Sequence, residues 1–337
     1  MNAAPDAAPV LEIEGLEVRF RTEEGEVTPV RGVDLTVRAG ETTALVGESG
    51  SGKSVTSLAV LGLLARGSGR ISAGAARYSA KSGAVVDLAR ASPQEARALR
   101  GGEIAMIFQE PMTSLNPVLS VGEQIAEQVR LHLKLDRAAA WRRAEDMLSR
   151  VEIPDAKRRA HEYPHQMSGG MRQRVMIALA MSCDPRLLIA DEPTTALDVT
   201  IQAQILALID QLRREHQMGV LFITHNLGVV AEIADQVTVM YAGEVVESAG
   251  VRDLFAHPRH PYARALLDCL PARAARQPDG RRVVVSIPGA VASAASAPGC
   301  RFAPRCSLRE AACDAGRPPL QAIAPGHATS CLRWSAL

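Results

Sequence analysis

The residues with the clearest chemical meaning form a glycine-rich octapeptide that ends in lysine and serine. It follows an apolar run, Thr43–Val46, that predicts a strand, and it precedes a stretch that predicts a helix. Glycines let backbone N–H groups approach phosphate oxygens, while the lysine can reach the β- and γ-phosphates and the serine can ligate Mg²⁺. The predicted phosphate-binding residues are Gly47, Glu48, Ser49, Gly50, Ser51, Gly52, Lys53 and Ser54.

A pair of acidic residues, Asp191 and Glu192, follows the apolar run Leu187–Ala190. At the carboxyl end of a buried strand, Asp191 would hold Mg²⁺ directly or through water. Glu192 would orient and deprotonate an attacking water. The alternative is a capping pair before Pro193, which we consider less favoured because a phosphate loop stands upstream. Together the two motifs predict hydrolysis of a nucleoside triphosphate.

A Ser-Gly-Gly motif stands 114 residues after Ser54 and shortly before the acidic pair. With it, the chain resembles the nucleotide-binding subunits of ATP-binding cassette (ABC) transporters. The resemblance implies that Ser168, Gly169 and Gly170 bind the γ-phosphate of ATP held by a second subunit. Met171 stands where the family usually has glutamine, which puts one side-chain contact in doubt. Ser168 is also a good helix N-cap, and the two interpretations are compatible.

Three further positions match the same family. Gln109 resembles the glutamine that senses Mg²⁺ and the attacking water, and the resemblance makes it a Mg²⁺ ligand with Ser54 and Asp191. His225 resembles the switch histidine that contacts the γ-phosphate. Asp198 belongs to a loop that crosses the interface between two cassettes. Phe20 is expected to stack on adenine, with a core-facing strand residue as the alternative.

Other segments narrow the resemblance to importers of dipeptides and oligopeptides. It implies an ATP-hydrolysing subunit that works as a cassette dimer, with a related but different second ATPase subunit. Two membrane permease subunits and, indirectly, an extracytoplasmic substrate-binding protein would be its partners. Nickel and glutathione importers share much of the pattern, so the same role for either cargo stays open. The segments are Phe108–Pro117, His257–Tyr262, Ile287–Gly289 and Gly299–Cys306.

Alternating and apolar runs predict an α/β fold, and the resemblance implies a P-loop NTPase (RecA-like) core. We expect an antiparallel β subdomain at the start, a helical signature subdomain at about 118–182, and a small irregular cysteine-containing C-terminal extension. A change in composition places the boundary between a nucleotide-binding domain, 1–245, and a C-terminal domain, 246–337. The segment His257–Tyr262 is expected to have a structural or docking role, with Pro261 in the first turn of a helix.

Four of the six cysteines fall in the last 38 residues: Cys300, Cys306, Cys313 and Cys331. Four thiolates suit tetrahedral zinc or an iron–sulfur cluster, but the spacing lacks the close pairs of most zinc sites. The residues alone leave three alternatives open. They are an iron–sulfur cluster, zinc with His327 as a possible ligand, or no metal. The resemblance to peptide-importer subunits with this tail favours a [4Fe–4S] cluster, with zinc as the alternative.

The composition argues against several other classes of protein. A net charge of +1 gives no electrostatic basis for binding nucleic acid, and 3% aromatic residues are too few for base stacking. The most apolar stretch has 11 residues, Val55–Ala65, where a membrane-spanning helix needs about 20. The resemblance implies a peripheral protein on the cytoplasmic face of the inner or plasma membrane. A soluble ABC protein of translation or repair is the less favoured alternative.

Overall fold

The computed structural model describes residues 8–65, 67–109, 114–195, 197–273, 275–276, 282–283, 286–289 and 298–337. Contacts divide the chain into two units whose segments alternate along the sequence. The first unit comprises Met1–Leu11, Val37–Glu41 and Arg77–Phe222, and the second comprises Glu12–Thr36, Thr42–Ala76 and Ile223–Leu337.

Strands and helices alternate through most of the described chain. The strands are β1 Pro9–Thr22, β2 Gly25–Arg38, β3 Thr42–Val46, β4 Gly69–Ser79, β5 Val85–Asp87, β6 Ile104–Ile107, β7 Leu187–Asp191, β8 Gly219–Thr224, β9 Gln236–Tyr241, β10 Glu244–Gly250, β11 Ala275–Arg276, β12 Arg282–Val283, β13 Gln321–Ala324 and β14 His327–Thr329. The helices are α1 Lys53–Val60, α2 Pro93–Leu99, α3 Val121–Leu133, α4 Arg137–Arg150, α5 Ala156–Arg159, α6 Gly169–Met181, α7 Val199–His216, α8 Leu227–Ile233, α9 Val251–Ala256, α10 Pro261–Asp268 and α11 Ala311–Ala315.

In the second unit, β1 and β2 are joined by two residues, so they run antiparallel, and β4 lies on the other side of β1. The inward positions of β1 include Ile13, Leu16 and Val18, which are buried. Successive side chains of a regular strand point to opposite faces, so Ile13 and Leu16, which are three residues apart, would not both point inward. Gly15 between them has φ 57° and its N–H donates to Asp34, so one inserted residue restores the inward face.

The glycine-rich loop of the second unit follows β3, which is buried along its whole length. β3 pairs in parallel with β9, and β9 continues through a tight turn at Ala242 and Gly243 into antiparallel β10. Both turn residues have positive φ, as such hairpin turns require. β14 pairs with β10 and β13 pairs with β14. The C-terminal extension therefore adds two strands, which the sequence analysis did not assign.

The first unit holds β6 and β7, which pair in parallel with Ile104 opposite Leu187, and β8 lies next to β7. Helices α3, α4 and α6 pack together, and the amide of Gln128 on α3 donates to the carbonyls of Gly101 and Leu179. These three helices lie within the range of about 118–182, where the sequence analysis expected a helical subdomain. The predicted α/β fold is confirmed.

A helix that crosses a bilayer needs about 20 predominantly apolar residues. Among the described residues, none of the helices combines the length and apolar character required to cross a membrane.

Candidate nucleotide-binding site

Two glycines of the phosphate loop occupy positions that no other residue could take without moving the backbone. Gly47 has φ 153°, and a Cβ there would lie 2.2 Å from the carbonyl oxygen of Met240. Gly52 has φ 101°, and a Cβ there would lie 2.5 Å from the carbonyl oxygen of Pro29. The glycines therefore provide both the left-handed backbone and the close packing that form the loop.

Lys53, the first residue of α1, is only 6% exposed. Its ammonium donates to the carbonyl oxygens of Gly47 (2.8 Å) and Glu48 (3.0 Å). These bonds hold the positive charge inside the loop, at the amino end of a helix whose first N–H groups have no partner within the helix. Ser54, next along α1, is exposed. This arrangement is suited to binding anions, and the phosphate-binding role of Gly47–Ser54 stays a prediction.

The carboxylate of Glu192 in the first unit is held by two donors. The amide of Gln109 donates to Oε2 of Glu192 at 3.1 Å, and the hydroxyl of Thr195 donates to the same oxygen at 2.9 Å. Glu192 has φ 48°, a conformation that is uncommon outside glycine. Strained backbone of this kind concentrates at functional sites. The structure thus brings together two of the three residues predicted to be catalytic, Gln109 and Glu192.

Asp191 is the last residue of β7 and is 6% exposed. Next to the acidic pair, the amide of Gln173 donates to the carbonyl of Pro193. Gln173 lies on α6, the helix that starts with the Ser-Gly-Gly motif, and is buried. The sequence analysis missed this hydrogen bond. Its only trace in the sequence is Gln173 itself, a polar residue on an otherwise apolar helix face. It ties the motif helix to the segment that carries Glu192.

The Ser-Gly-Gly motif and Asp198 both lie at helix starts. Ser168 caps α6 by accepting from the N–H of Met171, and Asp198 caps α7 by accepting from the N–H of Ile201 at 2.9 Å. Ser168, Gly169 and Asp198 are exposed. A Cβ on Gly170 would lie 3.2 Å from the side chain of Ile201, so the two helix starts are in contact.

His225 and Phe20 belong to the second unit, as the phosphate loop does. His225 is exposed directly after β8. Phe20 is half-buried near the end of β1, and its ring approaches Gly69 so closely that a Cβ there would lie 2.7 Å away. A ring with one covered edge and partial exposure could stack on a base. The adenine contact of Phe20 stays a prediction, as do the roles of the other site residues.

The four C-terminal cysteines line one cavity of the second unit, together with Phe302, Leu308 and Arg333 among others. Burial raises the pKa of the Cys300 and Cys306 thiols, and raises the pKa of Cys331 to about 11. Backbone N–H groups donate to Sγ of Cys306 and Cys331 at 3.3 Å each.

No group of three or more His, Cys, Asp or Glu within the described ranges could hold a metal ion. His327, expected as a ligand in the zinc alternative, instead lies 2.8 Å from the buried carboxylate of Glu247.

Two family models match this chain. Residues 30–195 match "ABC transporter", and residues 246–313 match "Oligopeptide/dipeptide transporter, C-terminal region". The first match covers the phosphate loop, the Ser-Gly-Gly motif and the acidic pair. The second begins inside β10 and covers three of the four C-terminal cysteines.

Curated relatives and a solved structure agree with the family models. A "Putative peptide import ATP-binding protein" of Brucella abortus is 54% identical over 332 residues, 98% of each chain. Glutathione import ATP-binding protein GsiA of Escherichia coli is 55% identical over 266 residues, 79% of this chain and 43% of its own length. The dimeric ATP-binding cassette MJ0796 bound to ADP and Pi is 26% identical with a TM-score of 0.62, covering 72% of this chain and 99% of that one.

Proposed function

Because this chain belongs to the ATP-binding subunits of ABC transporters of the oligopeptide/dipeptide type, we propose that it hydrolyses ATP to power the import of di- or oligopeptides. The phosphate loop carries the proposal: its glycine backbone and the enclosed Lys53 ammonium form a phosphate cradle. Import of glutathione is the second candidate, favoured by the similarity to GsiA. Nickel import stays an alternative from the sequence alone.

The proposed reaction divides its work among residues of this chain. The loop Gly47–Ser54 binds the phosphates, and Lys53 neutralises their charge. Glu192 accepts a proton from the attacking water, and Gln109 holds the carboxylate in place. Ser54, Gln109 and Asp191 would hold Mg²⁺, which would neutralise charge on the phosphates. His225 contacts the γ-phosphate and Phe20 stacks on adenine.

Replacing Lys53 tests the phosphate cradle. Lys53→Ala should raise the dissociation constant for ATP by at least about tenfold, because a charge-assisted hydrogen bond is worth about 1.5–3 kcal/mol. A titration with a fluorescent ATP analogue measures this. Lys81→Ala is the matched control, since the ammonium of Lys81 also donates to two backbone carbonyls, those of Gly102 and Cys183. Equal affinities in the Lys53 variant and the wild-type chain would contradict the assignment.

Two cassettes would complete each other's sites. Ser168–Gly170 and Asp198 serve ATP held by the second cassette, which is a related but different chain. Support comes from the exposed helix starts that carry these residues and from the dimeric cassette to which this chain is similar. Peptide-stimulated ATP hydrolysis by the reconstituted complex tests the import function. Hydrolysis that glutathione stimulates and peptides do not would favour the second candidate.

The permease subunits would contact the first unit, at the helical region of about 118–182. A groove of about 830 Å³ there is lined by residues that include Val118, Trp141 and Tyr163. Val118 is 75% exposed and Tyr163 is 41% exposed, so apolar side chains line a groove that is open to solvent, as a partner surface would require. The predicted segment Glu110–Pro117 precedes it, although residues 110–113 lie outside the described residues. The chain would then sit on the cytoplasmic face of the membrane, with an extracytoplasmic binding protein as an indirect partner.

We also propose that the chain is organised as a nucleotide-binding domain, 1–245, and a C-terminal domain, 246–337, that carries a [4Fe–4S] cluster. Within the described ranges the four cysteines line one cavity but do not form a metal-binding group, so they would hold the cluster after their side chains turn toward a common centre. N–H groups already donate to Sγ of Cys306 and Cys331, and hydrogen bonds to the sulfurs tune such clusters. The raised pKa values of the Cys300, Cys306 and Cys331 thiols mean that binding must release protons. Zinc is the alternative occupant. A structural or redox-sensing role is proposed, since ATP hydrolysis needs no electron.

Anaerobic purification tests the cluster. The chain should absorb broadly near ~400 nm and carry about four irons, as four cysteinyl ligands imply. Cys313→Ser should lose most of that absorption. Cys269→Ser should keep it, because Cys269 is not among the described residues that line the cavity. Stoichiometric zinc without iron would refute the cluster and support the alternative.

A further inference from the structure

The segment between Cys300 and Cys306 places an arginine against the phosphate loop. Residues Ala303–Arg305 form a short 3-10 helix, and the side chain of Arg305 is only 5% exposed. Its guanidinium lies over the rings of Tyr241 and Phe302, 5.7 and 6.0 Å from their centroids. The proposed function gives this side chain no role.

The guanidinium of Arg305 binds the carboxylate of Glu48 through two hydrogen bonds. Nη1 donates to Oε2 at 2.8 Å and Nη2 donates to Oε1 at 3.1 Å. The other N–H groups donate to the Tyr241 hydroxyl and to the carbonyls of Ile287 and Pro288, at 2.7 to 3.2 Å. With five acceptors for five N–H donors, the arginine has one well-defined position, which a lysine could not reproduce.

A second residue of the C-terminal region holds the same loop residue. The backbone N–H of Glu48 donates to the hydroxyl of Tyr262 at 2.9 Å, and the Tyr262 side chain is fully buried. Tyr262 is fixed in turn at the start of α10, because its N–H donates to the buried ring of His260. On the other side of Glu48, its carbonyl accepts from the Lys53 ammonium. Glu48 is therefore held through its carboxylate, its N–H and its carbonyl.

We propose that Arg305 is a positioning residue for the phosphate loop, so that the affinity of this chain for ATP depends on its C-terminal region. The proposal rests on the function proposed above, in which Gly47–Ser54 bind ATP. Glu48 places a carboxylate within that loop, where it would repel the phosphates of ATP if it were not neutralised. Arg305 supplies the opposite charge and fixes the carboxylate at the side of the loop, while Tyr262 fixes the backbone.

The first experiment measures ATP affinity in full-length variants by titration of a fluorescent ATP analogue. Arg305→Met should raise the dissociation constant about tenfold, which corresponds to about 1.4 kcal/mol. Arg305→Lys, which keeps the charge but loses the two-point contact, should fall between that variant and the wild-type chain. In reconstituted transporters, KM for ATP should rise while kcat at saturating ATP stays within about twofold, since the reacting groups are untouched.

The double variant Glu48→Gln with Arg305→Met separates charge compensation from general damage. Removing the unpaired carboxylate should restore the dissociation constant to within about threefold of the wild-type value, so the two substitutions should be strongly non-additive. Additive or greater loss in the double variant would overturn the proposal. Failure of the proposed function has a different signature, which is absence of ATP binding in the wild-type chain.

Arg301→Met is the matched control for position in the chain and for burial. Arg301 also lies between Cys300 and Cys306 and is 3% exposed, but it pairs with Glu244 at 2.8 Å. If Arg305 acts on the loop, Arg301→Met should leave ATP affinity within about twofold even where it lowers the melting temperature. Equal loss of affinity in both variants would mean that Arg305 only stabilises the C-terminal region.

Discussion

Glu192→Gln should bind ATP normally and yet hydrolyse it at least about 10²-fold more slowly, the loss expected when a general base is removed. The glutamine amide cannot accept a proton from water, but it keeps the shape of the side chain and an oxygen that can accept from Gln109 or Thr195. The phosphate loop is unchanged, so ATP should accumulate on the protein. Phosphate release measures the first effect, and size-exclusion chromatography with ATP should show a trapped cassette dimer.

Glu152→Gln is a matched control for Glu192→Gln. Glu152 is also a glutamate with positive φ, 57°, and it pairs with Arg174 at 2.9 Å, but it has no proposed role in hydrolysis. Its substitution should leave turnover within about twofold, because the Glu152 side chain is 73% exposed and the buried Arg174 keeps its bonds to the Val151 carbonyl and to Gln204. Hydrolysis at the wild-type rate in Glu192→Gln would refute the assignment of Glu192. Equal losses of turnover in both variants would indicate that a change in backbone strain, and not the loss of proton transfer, slows hydrolysis.

The parts of the fold and site that follow from local pattern could be predicted from the sequence. The strand before Gly47 and the strand ending at Asp191 are short apolar runs bounded by motif residues, and their observed bounds agree within one residue. The helix expected directly after the glycine-rich loop is α1, which begins at Lys53. In each case the signal lies within a few consecutive residues, where side-chain periodicity is sufficient.

Features that depend on contacts between distant residues could not be predicted in the same way. Arg305 and Glu48 are separated by 257 positions. The residues around each of them give no indication that the two side chains bind each other. Strands β13 and β14 are short and include polar and small residues, so they lack alternation. The pairing of β14 with β10 and of β13 with β14 supplies the stability that their own composition does not. The sequence analysis expected a structural or docking role for His257–Tyr262, and the contact of the Tyr262 hydroxyl with the N–H of Glu48 depends on tertiary structure alone.

Gly47→Ala should abolish measurable ATP binding, whereas Gly50→Ala should weaken it by no more than about tenfold. Both glycines have positive φ, 153° and 79°, so both variants have to adopt a strained backbone, at a cost of about 1–2 kcal/mol. Only Gly47 is also enclosed: its Cβ would lie 2.2 Å from the carbonyl of Met240 and 2.8 Å from Oγ of Ser51. Within the described part of the chain, nothing lies within 4 Å of a Cβ at Gly50.

The two variants therefore separate backbone strain from steric overlap at the phosphate loop. The overlap at Gly47 involves the backbone of β9, which cannot move aside as a flexible side chain would, so the loop itself must shift and its N–H groups leave the phosphates. Nucleotide titration and thermal unfolding should both register a larger loss for Gly47→Ala. Weaker ATP binding by Gly50→Ala than by Gly47→Ala would contradict the loop geometry described here, because strain alone would then govern the site.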